Sequence, residues 1–251
     1  MKYCLLLSYS PNPRMTRRIT LLKKQFDISL IYWERQNEEL WGNEKTTDID
    51  RYVISIHANN GTPLKRLIPT MKFADRAIKL LKETKPDIIH AENLDMLMIA
   101  VIYKKHYNTH TKIVYEIADI NGLLIDHQRS WIKRIVQSSC RMLDRKSSRY
   151  ISLLVCTSEK YYDVYYSQFI DEKKCIIVPN VPDPKPFRNY QHKDGGPFTV
   201  GYIGAIRYID QAKLLIKASE QTGINVIFSG SELGNEIQKI CNECSFAEYL
   251  G

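Results

Sequence analysis

Four carboxylates stand where apolar runs give way to polar chain. Glu92 and Asp95 follow the run Ile88–Ala91 in "HAENLD", and Glu116 and Asp119 close the run Lys112–Ile117 in "VYEIADIN". A carboxylate at the end of a buried strand can serve as a general base or accept hydrogen bonds from sugar hydroxyls. Helix capping and plain solvation use the same residue types. Glu116 and Asp119 are the catalytic candidates, and Glu92 is an acceptor-side candidate. Asn12 and Arg14, in "SYSPNPRMTRR", follow the first apolar run. Prolines rather than glycines build that turn, so it suits a stiff acceptor-side loop better than a phosphate cradle.

Phosphate chemistry is offered further on. "TVGYIGAIRYID" places Gly201, Gly204 and Arg207 where an apolar run turns toward a helix, and "FSGSELG" does the same with Gly230. Small residues let backbone N–H groups approach a phosphate, and an arginine adds a bidentate contact. The spacing is GxxGxxR, not the dinucleotide fingerprint. A tight turn with an exposed arginine, or a strand-to-helix turn capped by Ser231, accounts for the same residues. Metal chemistry is not expected. "CNEC" (Cys241 to Cys244) is a lone pair with no second one to complete a zinc site, and "HYNTH" lacks the glutamate of a metalloprotease helix.

The elements that must position these residues alternate. Apolar runs at Tyr3–Leu7, Ile28–Tyr32, Tyr52–Ile56, Ile88–Ala91, Lys112–Ile117, Leu153–Thr157 and Cys175–Val178 are apolar at consecutive positions, which suits strands covered on both faces. Helical periodicity fills the gaps at Arg14–Gln25, Thr70–Thr84, Leu94–Tyr107, Ser130–Ser147 and Ser158–Ser167. The rhythm predicts an α/β fold, a Rossmann-like doubly wound parallel sheet. The polar stretch Trp33–Arg51 reads as a loop or irregular insertion.

Pro179–Pro197 holds five prolines and the pair Gly195–Gly196, so it sustains neither helix nor central strand. The predicted organisation is an N-terminal domain over 1–187, a linker over 188–197 and the beginning of a second Rossmann-like domain over 198–251. There the expected elements are strand Phe198–Tyr202, helix Gln211–Thr222, strand Asn225–Ser229 and helix Glu232–Cys244. A sheet that stops at Phe228 would leave an unpaired strand edge.

The chain has 251 residues, enough for one large or two modest domains, and is 44% hydrophobic and 25% charged, as ordinary globular proteins are. "MKYCLLLSYS" has too short an apolar core for a secretion signal, and no stretch approaches the length of a membrane span. The six scattered cysteines fit small buried hydrophobes in a cytoplasmic protein. The net charge of +8 favours anionic partners. Half of the lysines and arginines fall in three clusters: Arg14–Lys24, Lys65–Lys82 and Arg129–Arg149. Basic amphipathic helices suit an anionic membrane surface, although a solvated face has the same composition. Nucleic acid is disfavoured, because no recognition pattern accompanies the charge.

Several segments in order resemble the GT-B glycosyltransferases, in particular family 4 of bacterial surface-polysaccharide pathways. They are "LLLSYSPNPRMTRRITLL", "KPDIIHAEN", "KIVYEIADI", "LLVCTSEKYYDVY", "CIIVPNVPD" and "TVGYIGAIR". The resemblance covers nearly the whole chain. It implies a nucleotide-sugar donor, a lipid-linked or glycan acceptor, no metal or other cofactor, and a location in the cytoplasm or on the inner face of the cytoplasmic membrane. Asn180, Gly201 and Gly204 match the family's positions, and Arg207 lies near that of a phosphate-binding arginine. Ala118 stands where some relatives carry histidine, leaving Asp119 or Glu116 as the polar candidate. Relatives also bind the donor through two glutamates separated by seven residues, and no glutamate here has such a partner. The resemblance thus implies a transferase, or a fragment of one, truncated in its C-terminal domain. The alternative is a non-catalytic partner of a second chain that completes the fold. A GT-B sugar-nucleotide epimerase would share the architecture.

Overall fold

The computed structural model describes residues 1–35, 48–58, 63–119, 122–125, 130–181, 184–185, 188, 196–232 and 234–251, with side chains described for all but 63–66 and 122–123. The chain divides into two compact units, Met1–Pro182 and Asp183–Gly251. The linker expected at 188–197 lies mostly outside the described residues.

In the first unit the elements run β1 Lys2–Leu7, α1 Pro13–Leu22, β2 Asp27–Glu34, β3 Asp50–Ser55, α2 Pro63–Thr84, β4 Ile88–Glu92, α3 Asn93–His106, β5 Lys112–Ile117, α4 Gly122–Ile125, α5 Trp131–Ser148, β6 Leu153–Cys156, α6 Glu159–Val164 and β7 Cys175–Ile177. All seven strands are parallel, in the order β3-β2-β1-β4-β5-β6-β7. Consecutive apolar residues make this possible, because alternate side chains fill two separate cores. Tyr3, Leu5 and Leu7 pack with Met15 and Ile19 of α1 on one face. Cys4, Leu6, Ile89 and Ile113 pack with residues of α2 and α3 on the other. Strand order reverses direction between β1 and β4, and the crevice at the carboxyl ends of such a pair is where open α/β sheets bind ligands.

The start of α1 is well specified. Asn12 caps it, its side-chain oxygen accepting from the Met15 N–H at 3.0 Å, and Pro13 enters the first turn. α2 starts at Pro63 rather than at the expected Thr70, carrying Pro69 inside it. The proline forgoes one backbone hydrogen bond, and the helix is held by the burial of Phe73, Ala77 and Leu81, with Phe73 stacked on Trp33 at 5.1 Å. The stretch expected as a loop at Trp33–Arg51 has strand at both ends, and 36–47 lie outside the described residues.

The second unit contains β8 Thr199–Ile203, α7 Ile209–Thr222, β9 Asn225–Ser229, α8 Glu236–Glu243 and β10 Ala247–Tyr249. Its parallel sheet runs β10-β9-β8. The expected unpaired edge at Phe228 is corrected: Ala247–Tyr249 pair with Val226–Phe228. α8 starts later than the expected Glu232, because the Glu232 carboxylate instead accepts from the backbone N–H groups of Ile237 and Gln238.

Candidate functional site

At the carboxyl ends of β1, β4 and β5 a cluster of ionisable side chains lies on the α1 face. Parallel pairing sets Glu92, the last residue of β4, directly beside Glu116 of β5. Two carboxylates side by side repel each other, and both are fully buried. Cations must compensate, and α1 supplies them. Arg14 pairs with Glu92 and lies 3.7 Å from Glu116, while Arg18, one turn on, reaches Glu116 at 3.3 Å. The Tyr9 hydroxyl also donates to Glu92. On β4, His90 shares the face of Glu92 and places Nε2 2.8 Å from Glu116. Its Nδ1 is 2.8 Å from the Tyr3 hydroxyl.

The two glutamates have different environments. Burial alone would raise the Glu116 carboxyl, but His90 and Arg18 outweigh it and hold the group at about 2. Glu116 is therefore ionised at every physiological pH and sealed from solvent, a counter-ion that positions Arg14 and Arg18. A carboxylate so weakly basic is a poor proton acceptor. Burial pushes the Glu92 carboxyl up, and Arg14 and Tyr9 offset only part of the rise. One Glu92 oxygen, Oε2, is buried without a hydrogen-bond partner among the described residues.

Of the residues singled out from sequence, Asn12, Arg14, Glu92 and Glu116 are brought together here. Asn12 serves as the helix cap and extends Nδ2 to within 3.4 Å of the Tyr9 hydroxyl. Asp119 lies apart, exposed just past β5, its Oδ1 accepting from the Tyr161 hydroxyl at 2.9 Å. Asn180 accepts at 3.0 Å from Arg17, which also donates to the Val181 carbonyl. Sequence reasoning missed Tyr3, Tyr9, Arg18, His90 and Tyr161. The alternation of His90 and Glu92 along one strand was a signal for part of this.

Gly201, Gly204, Arg207 and Gly230 lie in the second unit. Gly204 and Gly230 directly follow β8 and β9, again at carboxyl ends, and both have φ +134°. A Cβ on Gly230 would meet the Gly204 carbonyl oxygen at 2.3 Å, whereas Gly201 has open space around it. Arg207 is exposed and forms no ion pair with a described residue. Cys241 of the lone pair is buried in this unit's core, and Cys244 packs against it. Among the described residues no group of three His, Cys, Asp or Glu is placed to hold a metal.

A third buried acid lies on the opposite face of the large sheet. Asp144 of α5 accepts from the Tyr115 hydroxyl at 3.2 Å. Burial raises it to about 6, against the lowering effect of Tyr115, Tyr165, Tyr166 and Arg145. Glu116 and Asp144 give stability opposite pH dependences. Glu116, lowered from 4.5 to about 2, contributes stability that is present above the higher value and lost as pH falls through the lower. Asp144, raised from 3.8 to about 6, contributes stability that is present below the lower value and lost as pH rises through the higher. Each term is on the order of 3 kcal/mol. The unfolding midpoint should therefore rise as pH drops from about 7 to about 5 and fall below about 4. Asp144→Asn should flatten the first slope and leave the second, which thermal unfolding across a pH series measures.

The profile of Glycosyltransferase Family 4 matches residues 20–185. No curated protein sequence matches the chain. Among solved structures, the chain is similar to the apo form of the lipopolysaccharide outer core galactosyltransferase WaaB, with TM-score 0.65 and 13% identity over 100% of this chain and 68% of that one. It is similar to HepE of Anabaena in complex with UDP and glucose, with TM-score 0.64 and 16% identity over 99% of this chain and 68% of that one. The UDP-GlcNAc 2-epimerase of Neisseria meningitidis bound to UDP-GlcNAc matches with TM-score 0.61 and 13% identity over 99% of this chain and 72% of that one. These identities speak for the fold, which is of the Rossmann-like GT-B type. The family profile spans most of the larger parallel-sheet unit, including β4, β5 and part of α1, and on that match the chain belongs to glycosyltransferase family 4.

Proposed function

We propose that the chain transfers a sugar from a nucleotide-sugar donor to a lipid-linked or glycan acceptor of a cell-surface polysaccharide pathway. The acceptor would be presented at an anionic membrane surface on the cytoplasmic side. The observation that carries this reading is the polar cluster at the switch point of the large sheet, where Tyr9, Asn12, Arg14 and Glu92 converge. Such a cluster suits the hydroxyl-rich acceptor. Half-buried Tyr9 and Asn12 are the members of the cluster open to a sugar hydroxyl, and Glu92 holds Tyr9 and Arg14 in place beneath them. Exposed Asp119, oriented by Tyr161, is the base in this reading, while Glu116 acts only through the arginines it holds. The donor diphosphate belongs to the turns after β8 and β9, with Arg207 as its cation and the backbone around Gly204 and Gly230 beside it. Asn180, tied to α1 through Arg17, is a separate donor-side candidate of the larger unit. Neither metal nor another cofactor has a part in this reading. That HepE was solved with UDP and glucose supports a sugar nucleotide as the donor class.

No described helix is long and apolar enough to cross a membrane.

The test is calorimetric titration of the full chain with UDP, GDP and their sugar conjugates, followed by turnover on the conjugate that binds. Binding of at least one diphosphate is expected. Arg207→Ala should weaken it about tenfold or more, as loss of a charge-assisted hydrogen bond does. Asp119→Asn should lower kcat by at least about a hundredfold with little change in donor affinity. Absence of binding across the panel would leave the chain as a non-catalytic partner of a second protein.

A further inference from the structure

Helix α5 carries a row of cations that the fold does not use. Ser138, Arg141, Arg145 and the capping residue Arg149 recur three or four residues apart and so share one flank of the helix. Together with Lys146 they line a cavity of about 430 Å³. Arg134 and Gln137 also border it, but each has a partner of its own, so the row proper begins at Ser138. Among the described residues, none of Arg141, Arg145, Lys146 and Arg149 is in an ion pair. Arg141 Nε donates to the Leu124 carbonyl at 2.7 Å, and Arg145 donates to Gln168 Oε1 at 2.8 Å with its guanidinium 5.3 Å from the Phe169 ring. These neutral partners fix where two guanidiniums lie and leave their charge uncompensated. On α1, by contrast, Arg14 and Arg18 are spent on Glu92 and Glu116.

Like charges three and four residues apart on a helix repel. The one acid of α5, Asp144, is on the buried side. The helix dipole favours the cations of the last turn, Arg145 and Lys146, but it does not reach Arg141 or remove the repulsion between neighbours. An anion spanning several of the four would. The row is linear, with Arg141, Arg145 and Arg149 about 6 Å apart along the axis, which suits a chain that repeats its anionic groups. A planar guanidinium pairs with a carboxylate through two parallel hydrogen bonds, and Ser138 adds a hydroxyl to the same cavity. Trp131, seven residues before Ser138, heads the same flank and is 69% exposed. Its ring offers a flat apolar surface to the C–H face of a sugar. The exposed aliphatic residues Ile132, Val136 and Leu143 share the opposite flank, outside the cavity, so one flat lipid surface does not meet both.

We infer that α5 carries a non-catalytic binding site for a linear acidic glycan, with sugar carboxylates on Arg141, Arg145, Lys146 and Arg149 and a ring stacked on Trp131. Arginines already held in place lose less freedom on binding than free ones would. α5 lies on the face of the sheet opposite α1 and the acidic cluster, so a glycan held there leaves that cluster uncovered. The inference deepens the glycan side of the proposed function and rests on that reading for its ligand class. Binding needs neither donor nor turnover, so the two can fail independently.

The experiment is fluorescence anisotropy of the full chain with labelled decagalacturonate, a neutral dextran oligomer of equal length and deca-glutamate, at low and high salt. Decagalacturonate should bind more tightly than deca-glutamate, dextran should not bind, and high salt should weaken binding. Arg145→Gln/Arg149→Gln should weaken the galacturonate at least about tenfold, as loss of charge-assisted contacts does. Trp131→Ala should weaken it about fivefold and leave deca-glutamate unaffected. Lys217→Gln, which removes an exposed cation from the second unit, should bind as the wild type does. The substituted side chains are all exposed, so unchanged circular dichroism separates a lost site from misfolding. Absent galacturonate binding, or wild-type binding by both α5 variants, would overturn the inference. So would deca-glutamate binding as tightly as the galacturonate, which would make an acidic peptide the occupant. Displacement of the galacturonate by phosphatidylglycerol vesicles, lost in the double variant, would overturn it in favour of lipid.

Discussion

Replacing Arg14 by methionine is expected to destabilise the larger unit by about 3–5 kcal/mol, the usual result of removing one partner from a buried ion pair. The arginine is nearly sealed, with 9% of its side chain exposed, and it lies against two glutamates that are fully buried. Methionine keeps much of the volume and removes the charge. Glu92 and Glu116 would then stand side by side with only Arg18 and His90 near Glu116 and no cation on Glu92. Glu92, already raised by burial, would respond by taking up a proton, and the variant should regain stability as pH is lowered toward the carboxylate range. Adding Glu92→Gln to Arg14→Met should recover a large part of the loss, because a neutral pair leaves no uncompensated charge. Urea unfolding of the wild type, both single variants and the double variant closes the cycle. A double variant no better than Arg14→Met alone would show that the arginine acts through packing and not through the glutamates.

The second large effect belongs to the smaller unit. Gly230→Ala forces a methyl group to 2.3 Å from the Gly204 carbonyl oxygen at a φ of +134°. The neighbour cannot yield easily. The Gly204 N–H donates to the Ser229 carbonyl at 2.9 Å, the Gly230 N–H to the Gly251 carbonyl at 2.9 Å, and the Tyr249 hydroxyl to the Gly230 carbonyl at 2.8 Å. Strain at a glycine-only conformation and overpacking each cost about 1–3 kcal/mol. Small domains have little stability in reserve, so the substitution should open residues 196–251 to proteolysis while 1–181 stay resistant. Gly201→Ala is the control. Its Cβ meets nothing within 4 Å, and it should be nearly neutral. Limited proteolysis with fragment mass measurement reads both. The glycine at 230 is thus required by the fold itself, whatever else approaches it.

The sequence made the central strands of the large sheet legible because they are sealed on both faces. Runs such as Lys112–Ile117 left little choice of element or boundary. It was less clear where a helix runs through a proline: the helix expected from Thr70 starts at Pro63 and continues through Pro69, held by three buried residues further along. Strand β10 was missed because "AEY" alternates buried and exposed over only three residues, too short for a pattern to stand out. The candidate site was half legible. Asn12, Arg14, Glu92 and Glu116 could be picked out as residue types at strand and loop ends. That Glu92 and Glu116 are neighbours depends on the register between β4 and β5, and that Arg18 serves Glu116 depends on how α1 crosses the sheet. Both are long-range facts with no local signature. Neighbouring side chains also reverse the expected role: Glu116 looked like a base, and His90 and Arg18 make it the stronger acid of the pair. The basic helices were legible as charge alone, since only packing shows which cations of α1 pair with the buried glutamates.

The acidic cluster bears on the order in which the molecule assembles. Arg18 and Glu116 are 98 positions apart, and Tyr9 and Glu92 are 83 apart, so none of these pairs can form until β1, β4 and β5 are already side by side. Contacts of such long reach carry a heavy loop-closure penalty and tend to form late. The ionic cluster therefore contributes little to the folding transition state and acts after it, as a latch. Its loss in Arg14→Met should appear as faster unfolding with refolding nearly unchanged. What the chain gains from placing two carboxylates together in its interior is thus longevity of the finished fold.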